Sequence, residues 1–217
     1  MQQVAKFTSW LFLPLMAPVY ALLTVMFVES WEENFMQPNS LFILTEDQKY
    51  AILYLFIAFS FLAPAITILF LQIRGAITSV LMDNRKERVM PSILVNLFGI
   101  ALIVMLHKMV PEQLLGFHFL LGLAYGSLTT VFICTVLTVK WKVSLHAAGM
   151  GILSGFLYAY YSHMEIFPIL LVAASFVLSG FVMSMRMLIK AHDLKQSIVG
   201  YFIGFIATTS AVYFFFV

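Results

Sequence analysis

Two histidines each stand next to a short run of basic residues. His146 ends K-W-K-V-S-L-H, residues 140–146, and His192 lies within R-M-L-I-K-A-H-D-L-K-Q, residues 186–196. A third basic segment, M-D-N-R-K-E-R-V-M-P, covers residues 82–91. Together the three supply Arg85, Lys86, Arg88, Lys140, Lys142, Arg186 and Lys190, with Ser144 beside them. Guanidinium forks match the oxygens of a phosphate group with two parallel hydrogen bonds. Ser144 and free backbone N–H groups at a helix start would add donors to the same anion. One imidazole attacks phosphorus while a second protonates the leaving oxygen. The cations around them offset the charge of the transition state. The chemistry these residues suit is the binding of a phosphate-like anion and the transfer of its phosphoryl group.

The segments around these residues are strongly apolar. The chain of 217 residues is 62% hydrophobic and 10% charged, with a mean hydropathy of +0.99. Soluble domains carry about 25% charged residues, so lipid is the expected solvent. A spanning helix needs about 20 mostly apolar residues. Such runs occur at 9–28, 50–73, 92–109, 114–139, 146–161, 166–185 and 196–217. None alternates with the period of a barrel strand, and backbone inside lipid must bond to itself. The expected fold is all-α: one domain, 1–217, a polytopic transmembrane bundle of about seven spans. The fifth run is the shortest. Pro14 and Pro18 interrupt the first, which reads as a retained span and not as a cleaved leader. Ala147, Gly151 and Gly155, and Gly200 with Gly204, recur at four-residue spacing and suit close helix packing.

Alternating the loops across a membrane sorts the charges. Ten of the twelve basic residues fall on the side of the N-terminus, and only Lys49 and Lys108 fall opposite. Glu29, Glu32, Glu33, Glu46, Asp47, Glu112 and Glu165 lie on that opposite side. A wrong span count would scramble this sorting. By the positive-inside rule the basic face and the N-terminus are cytoplasmic and the C-terminus lies across the membrane. The expected location is the plasma membrane, the inner membrane of a bacterium.

With this placement the motifs resemble the type 2 phosphatidic-acid phosphatase superfamily. Arg186, then His192, then residue 196 repeats the spacing of that family's third motif, S-R-x5-H-x3-D. Ser144-Leu145-His146 is similar to its P-S-G-H, at the start of a helix two helices before the C-terminus. Arg85, Lys86, Arg88 and Pro91 echo its first motif, K-x6-R-P. Met185, Val143, Leu145 and Gln196 stand where the family has serine, proline, glycine and aspartate. The likeness covers about residues 82–204 and implies that a six-helix phosphatase-like core would fit within the bundle. It implies that His192 becomes a phosphohistidine and that His146 protonates the leaving group. Arg186, Ser144, Arg88 and Lys86 or Arg85 would hold the phosphoryl oxygens. Gln196 would accept the hydrogen bond that orients His192. The family uses no metal or other cofactor.

The expected function is a lipid-phosphate phosphatase, cleaving a phosphomonoester or a pyrophosphate. The alternative is a phosphatase-like protein without turnover that binds an anionic lipid or serves as a subunit of a membrane complex. A transporter fits less well, since no acid lies within the spans. The expected partners are the bilayer and a lipid phosphate, with self-association left open and no role for nucleic acid. His107, His118 and His163 fall towards the opposite face and read as interhelical hydrogen-bonding groups. Cys134, the single cysteine, reads as a small buried side chain. Trp10, Trp31 and Trp141 suit an aromatic belt.

Overall fold

The structure, a computed structural model, describes residues 1–28, 40–79, 85–114 and 116–216, with Arg85 and Lys86 described in their backbone alone. Trp31, Glu29, Glu32 and Glu33 lie outside the described residues. Among the described residues the chain is helical and holds no strand. In order the helices are α1 (Gln2–Leu11), α2 (Ala17–Phe27), α3 (Glu46–Phe56), α4 (Ala63–Ile73), α5 (Val89–Met109), α6 (Phe117–Lys140), α7 (Leu145–Ser162), α8 (Ile169–Leu188) and α9 (Leu194–Phe216). Six segments are long and apolar enough to cross a membrane: Gln2–Phe27, Glu46–Ile73 and the helices α5, α6, α8 and α9.

The helix α7 is the seventh long element of the bundle, and its composition explains why it stands apart from the six. Fourteen of its eighteen residues are buried. A helix surrounded by other helices needs no lipid-facing apolar surface, so glycine, serine and tyrosine are tolerated along it. It runs parallel to α9. Ser144 N–H donates to the Gln196 carbonyl (3.2 Å) at one end. Further along, Thr209 Oγ1 donates to the Gly155 carbonyl (3.2 Å). The helix α7 is thus registered with α9, itself long and apolar enough to cross a membrane, over much of its length.

Small residues make this seam. A Cβ on Gly151 would collide with the Tyr201 carbonyl, and one on Gly204 with the Ala148 carbonyl. On its other flank α9 packs against α6, where Cβ atoms on Gly122 and Gly126 would meet the backbone of Val212 and Thr208 at 2.7 and 2.5 Å. Glycine is required at these positions for close approach, as in other membrane helix pairs.

Two of the spans are broken. Proline drives the residue before it out of the α region, and Leu13 accordingly has φ −60° and ψ 135° ahead of Pro14. The helix stops at Leu11 and restarts as α2, with Pro18 in its first turn, where a missing N–H costs nothing. The second span passes from α3 to α4 through a π-helical segment, Ile57–Leu62. The widened turn precedes Pro64, and the Ala63 N–H reaches back to the Ala58 carbonyl. Such bulges recur at functional sites. Both breaks face one cavity.

Candidate active site at the basic end of the bundle

The cavity holds about 410 Å³. Its walls come from the first break (Ser9, Trp10, Leu13, Pro14), the second break and α4 (Phe61, Ala65, Ile68, Leu69), and the start of α5 (Pro91, Ser92, Val95). Thr130 and Val131 of α6, with Gly149 and Ile152 of α7, complete the apolar part. Arg88, His146, Arg186 and His192 also line it. Residues from all three basic segments therefore meet at one space.

The turn between α8 and α9 holds His192. It opens with a Schellman closure, in which Ala191 N–H donates to the Arg186 carbonyl (3.1 Å) and Lys190 N–H to that of Met187 (2.9 Å). Lys190 sits in the left-handed region (φ 56°) that this closure demands. The turn ends with Asp193, whose carboxylate accepts the Gln196 N–H at 2.8 Å and caps α9. Asp193 is thus occupied by the backbone. Gln196 turns its side chain to His192 instead, with Nδ1 and Oε1 2.9 Å apart. A carboxamide oxygen only accepts, so Nδ1 carries the proton and a neutral ring keeps its lone pair on Nε2. Burial pushes His192 below the usual imidazole range, to about 4. The hydrogen bond to Gln196 works in the opposite direction, while the nearby charges of Arg88, Lys142 and Arg186 add to the depression. The ring is neutral at neutral pH, the state an attacking nitrogen requires.

Arg186 lies in the last turn of α8, where the helix dipole favours a cation. Arg88 immediately precedes α5. The short turn Arg85–Arg88 is fastened by Glu87, whose carboxylate accepts the Thr78 N–H (2.8 Å) and hydroxyl (2.9 Å). Both arginines are only 8% exposed, which arginine seldom is. Each lies within electrostatic reach of both histidines. Two guanidinium groups thus stand at a cavity with apolar walls, where electrostatic interactions are stronger than in water.

His146, the second residue of α7, places Nε2 3.0 Å from the Ser9 carbonyl. Ser144 is fully buried and caps α7, its hydroxyl accepting the Ala147 N–H at 3.4 Å. It is not among the residues lining the cavity. The side chains of Arg85 and Lys86 lie outside the described residues.

The remaining histidines stay away from this site. His118 and His163 pack with Phe119 and Phe216 at the other end, and His107 faces Glu112 at 3.9 Å. Among the described residues no group of three or more His, Cys, Asp or Glu side chains is placed to hold a metal ion. Sequence reasoning missed the walls contributed by the first two spans. The signal was present in Pro14, Pro18 and Pro64, three prolines inside apolar runs. Compared with known families, curated proteins and solved structures, the chain matches none.

Proposed function

We propose that the protein is a membrane-embedded lipid-phosphate phosphatase. One observation carries the reading: two histidines and two buried arginines share the polar part of a cavity whose other walls are apolar and lie among spanning helices. An amphiphile with a phosphate head and a hydrocarbon tail fits both parts. In the proposed reaction Nε2 of His192 attacks phosphorus, a P–N bond forms, and the P–O bond to the alcohol or phosphate leaving group breaks. His146 takes up the proton of the monoanionic phosphate and gives it to the leaving oxygen. Water then adds to phosphorus with His146 taking its proton, the P–N bond breaks, and inorganic phosphate leaves. Arg88 and Arg186 hold the non-bridging oxygens throughout. Gln196 keeps His192 in the attacking tautomer without adding a negative charge.

The test is phosphate release by the purified protein in mixed micelles, over phosphomonoesters and diphosphates of diacylglycerol and polyprenol, beside His192→Ala. Release that disappears in the variant supports the reading. Absence of release from every substrate by folded protein overturns it.

A second reading is favoured by Gln196 and Ser144. A neutral group orients His192, and the serine expected on the phosphate is engaged as a helix cap. In that case the cavity holds an anionic lipid without hydrolysing it, and the same micelles show saturable binding lost in Arg186→Gln. By the bias of basic residues we further assign the site to the cytoplasmic face of the plasma membrane. Reporter fusions at the two termini would then report opposite sides.

A further inference from the structure

We infer that Pro14 is a positioning residue for His146, and that Nδ1 of His146 is the nitrogen that exchanges protons with the substrate. The inference rests on the proposed role of His146 as proton donor. It starts from the backbone. In an unbroken helix the Ser9 carbonyl would accept the Leu13 N–H. Pro14 forces Leu13 into an extended conformation, and α1 ends at Leu11. The carbonyls at this helix end must then find other partners. Thr8 receives the Phe12 N–H. Leu11 receives the Tyr20 hydroxyl. Ser9 receives Nε2 of His146 at 3.0 Å.

A carbonyl oxygen only accepts, so Nε2 is the protonated nitrogen. Whatever the charge of the ring, that proton is engaged, and Nδ1 alone is left to give or take another. Packing holds the arrangement in place. A Cβ on Gly149, three residues beyond His146 and on the same face of α7, would stand 3.0 Å from the Pro14 Cα. The proline therefore sets both the open carbonyl and the distance of the break from α7. Pro14, Ser9 and His146 all line the cavity. In each half-reaction the Nε2–H bond to Ser9 persists. Nδ1, unprotonated at rest, takes the proton that a monoanionic phosphate brings in and gives it to the leaving oxygen in the first; in the second it takes one from water and returns it to the departing phosphate.

The experiment is nitrogen NMR of the protein labelled with 15N-histidine, in micelles, with His146 assigned by its absence in His146→Gln. The expected wild-type spectrum has a protonated Nε2 and an unprotonated Nδ1. In Pro14→Ala, Leu13 is free to return to the helix and compete for Ser9. His146 then shows mixed tautomers, and kcat falls about ten- to a hundredfold with little change in KM, part of what a positioned acid contributes. A protonated Nδ1 in the wild type overturns the inference, as does an unchanged tautomer in folded Pro14→Ala. If Pro14→Ala does not fold, a second pair decides. The side-chain N–H of His146→Gln reaches Ser9 and keeps the wild-type melting midpoint, whereas the shorter His146→Asn melts lower. Equal midpoints for the two would sink the idea. The tautomer is read without substrate, so a protein that releases no phosphate still answers this question separately.

Discussion

The bundle carries two pairs of histidines at opposite ends, His146 with His192 and His118 with His163. At the far end the described neighbours are rings. His163 lies 3.8 Å from the Phe216 ring centre and 4.6 Å from that of Tyr213, and its Nδ1 donates to the Ala159 carbonyl at 2.7 Å. His118 stacks beside Phe119 and Phe216 at 4.5 and 5.0 Å. At the basic end the rings face a cavity and sit within reach of Arg88 and Arg186. The same residue type is a packing unit in one place and lines a cavity in the other. What separates them is the backbone around them. Broken helices open space at the basic end, while at the aromatic end unbroken helices bring rings together and fill it.

Both ends depend on one seam, and the largest expected effect comes from splitting it. Gly204→Val pushes a branched side chain against the Ala148 carbonyl. Overpacking of that kind costs about 3 kcal/mol or more when backbone must move. Aggregation or a collapsed melting midpoint in detergent is expected, with the cavity and the aromatic end lost together. Retained aromatic packing with only the cavity lost would show that the two ends fold separately.

Next in size is the titration of His192, which sharpens the contrast between the pairs. Its pKa of about 4 stands well below the ordinary 6.5. Below pH 6.5 the unfolded chain takes up a proton that the native ring refuses. Native stability therefore falls by about 3 kcal/mol between pH 6.5 and 4, and nothing from this group changes above that window. In the proposed reaction the ring also stays neutral at pH 5.5, so the limb of kcat set by His192 is expected near 4. The 15N resonances of His192 measure this directly. Arg88→Gln moves the pKa up by removing a nearby charge. Gln196→Ala moves it down by removing the one hydrogen bond that favours the charged ring. A His192 that titrates at 6.5 would mean that neither burial nor the nearby arginines depress it.

Much of the basic end was legible in the sequence because its residues lie at helix ends, where loop charge and span count fix the face. The pairing of His192 with Gln196 was expected from the resemblance of R-x5-H-x3-Q to a family motif, and the two side chains meet at 2.9 Å. Other parts depended on contacts that no local pattern carries. Ser144 has the residue type of a phosphate ligand and of an N-cap, and only the packing of α7 against α9 decides that its hydroxyl serves the backbone. The shortness of the fifth apolar run was visible, yet its cause, burial at the centre of the bundle, depends on every other helix. Gly122 and Gly126 carry the same four-residue spacing as the glycines of α7 and α9, but their partners in α9, Val212 and Thr208, lie far away in sequence. Pro14 was readable as a break; the carbonyl it opens and the histidine that takes it were not.

The smallest expected effect tests whether the basic end carries backbone strain that the aromatic end avoids. At the aromatic end the left-handed position before α6 is given to Gly116 (φ 74°). At the basic end the equivalent demand falls on Lys190 (φ 56°), two residues from His192. A side chain in that region costs about 1 kcal/mol relative to glycine. Glycine returns part of this by its larger unfolded-state entropy. Lys190→Gly is therefore expected to stabilise by about 0.5 kcal/mol, a rise of about 1–2 °C in the melting midpoint for a chain of this size. Gly116→Ala, placing a Cβ in the left-handed region at the other end, is expected to lower it by a similar amount. A Lys190→Gly variant that melts below the wild type would mean that the lysine side chain stabilises the turn by more than its backbone conformation costs, and that the turn holding His192 is not strained.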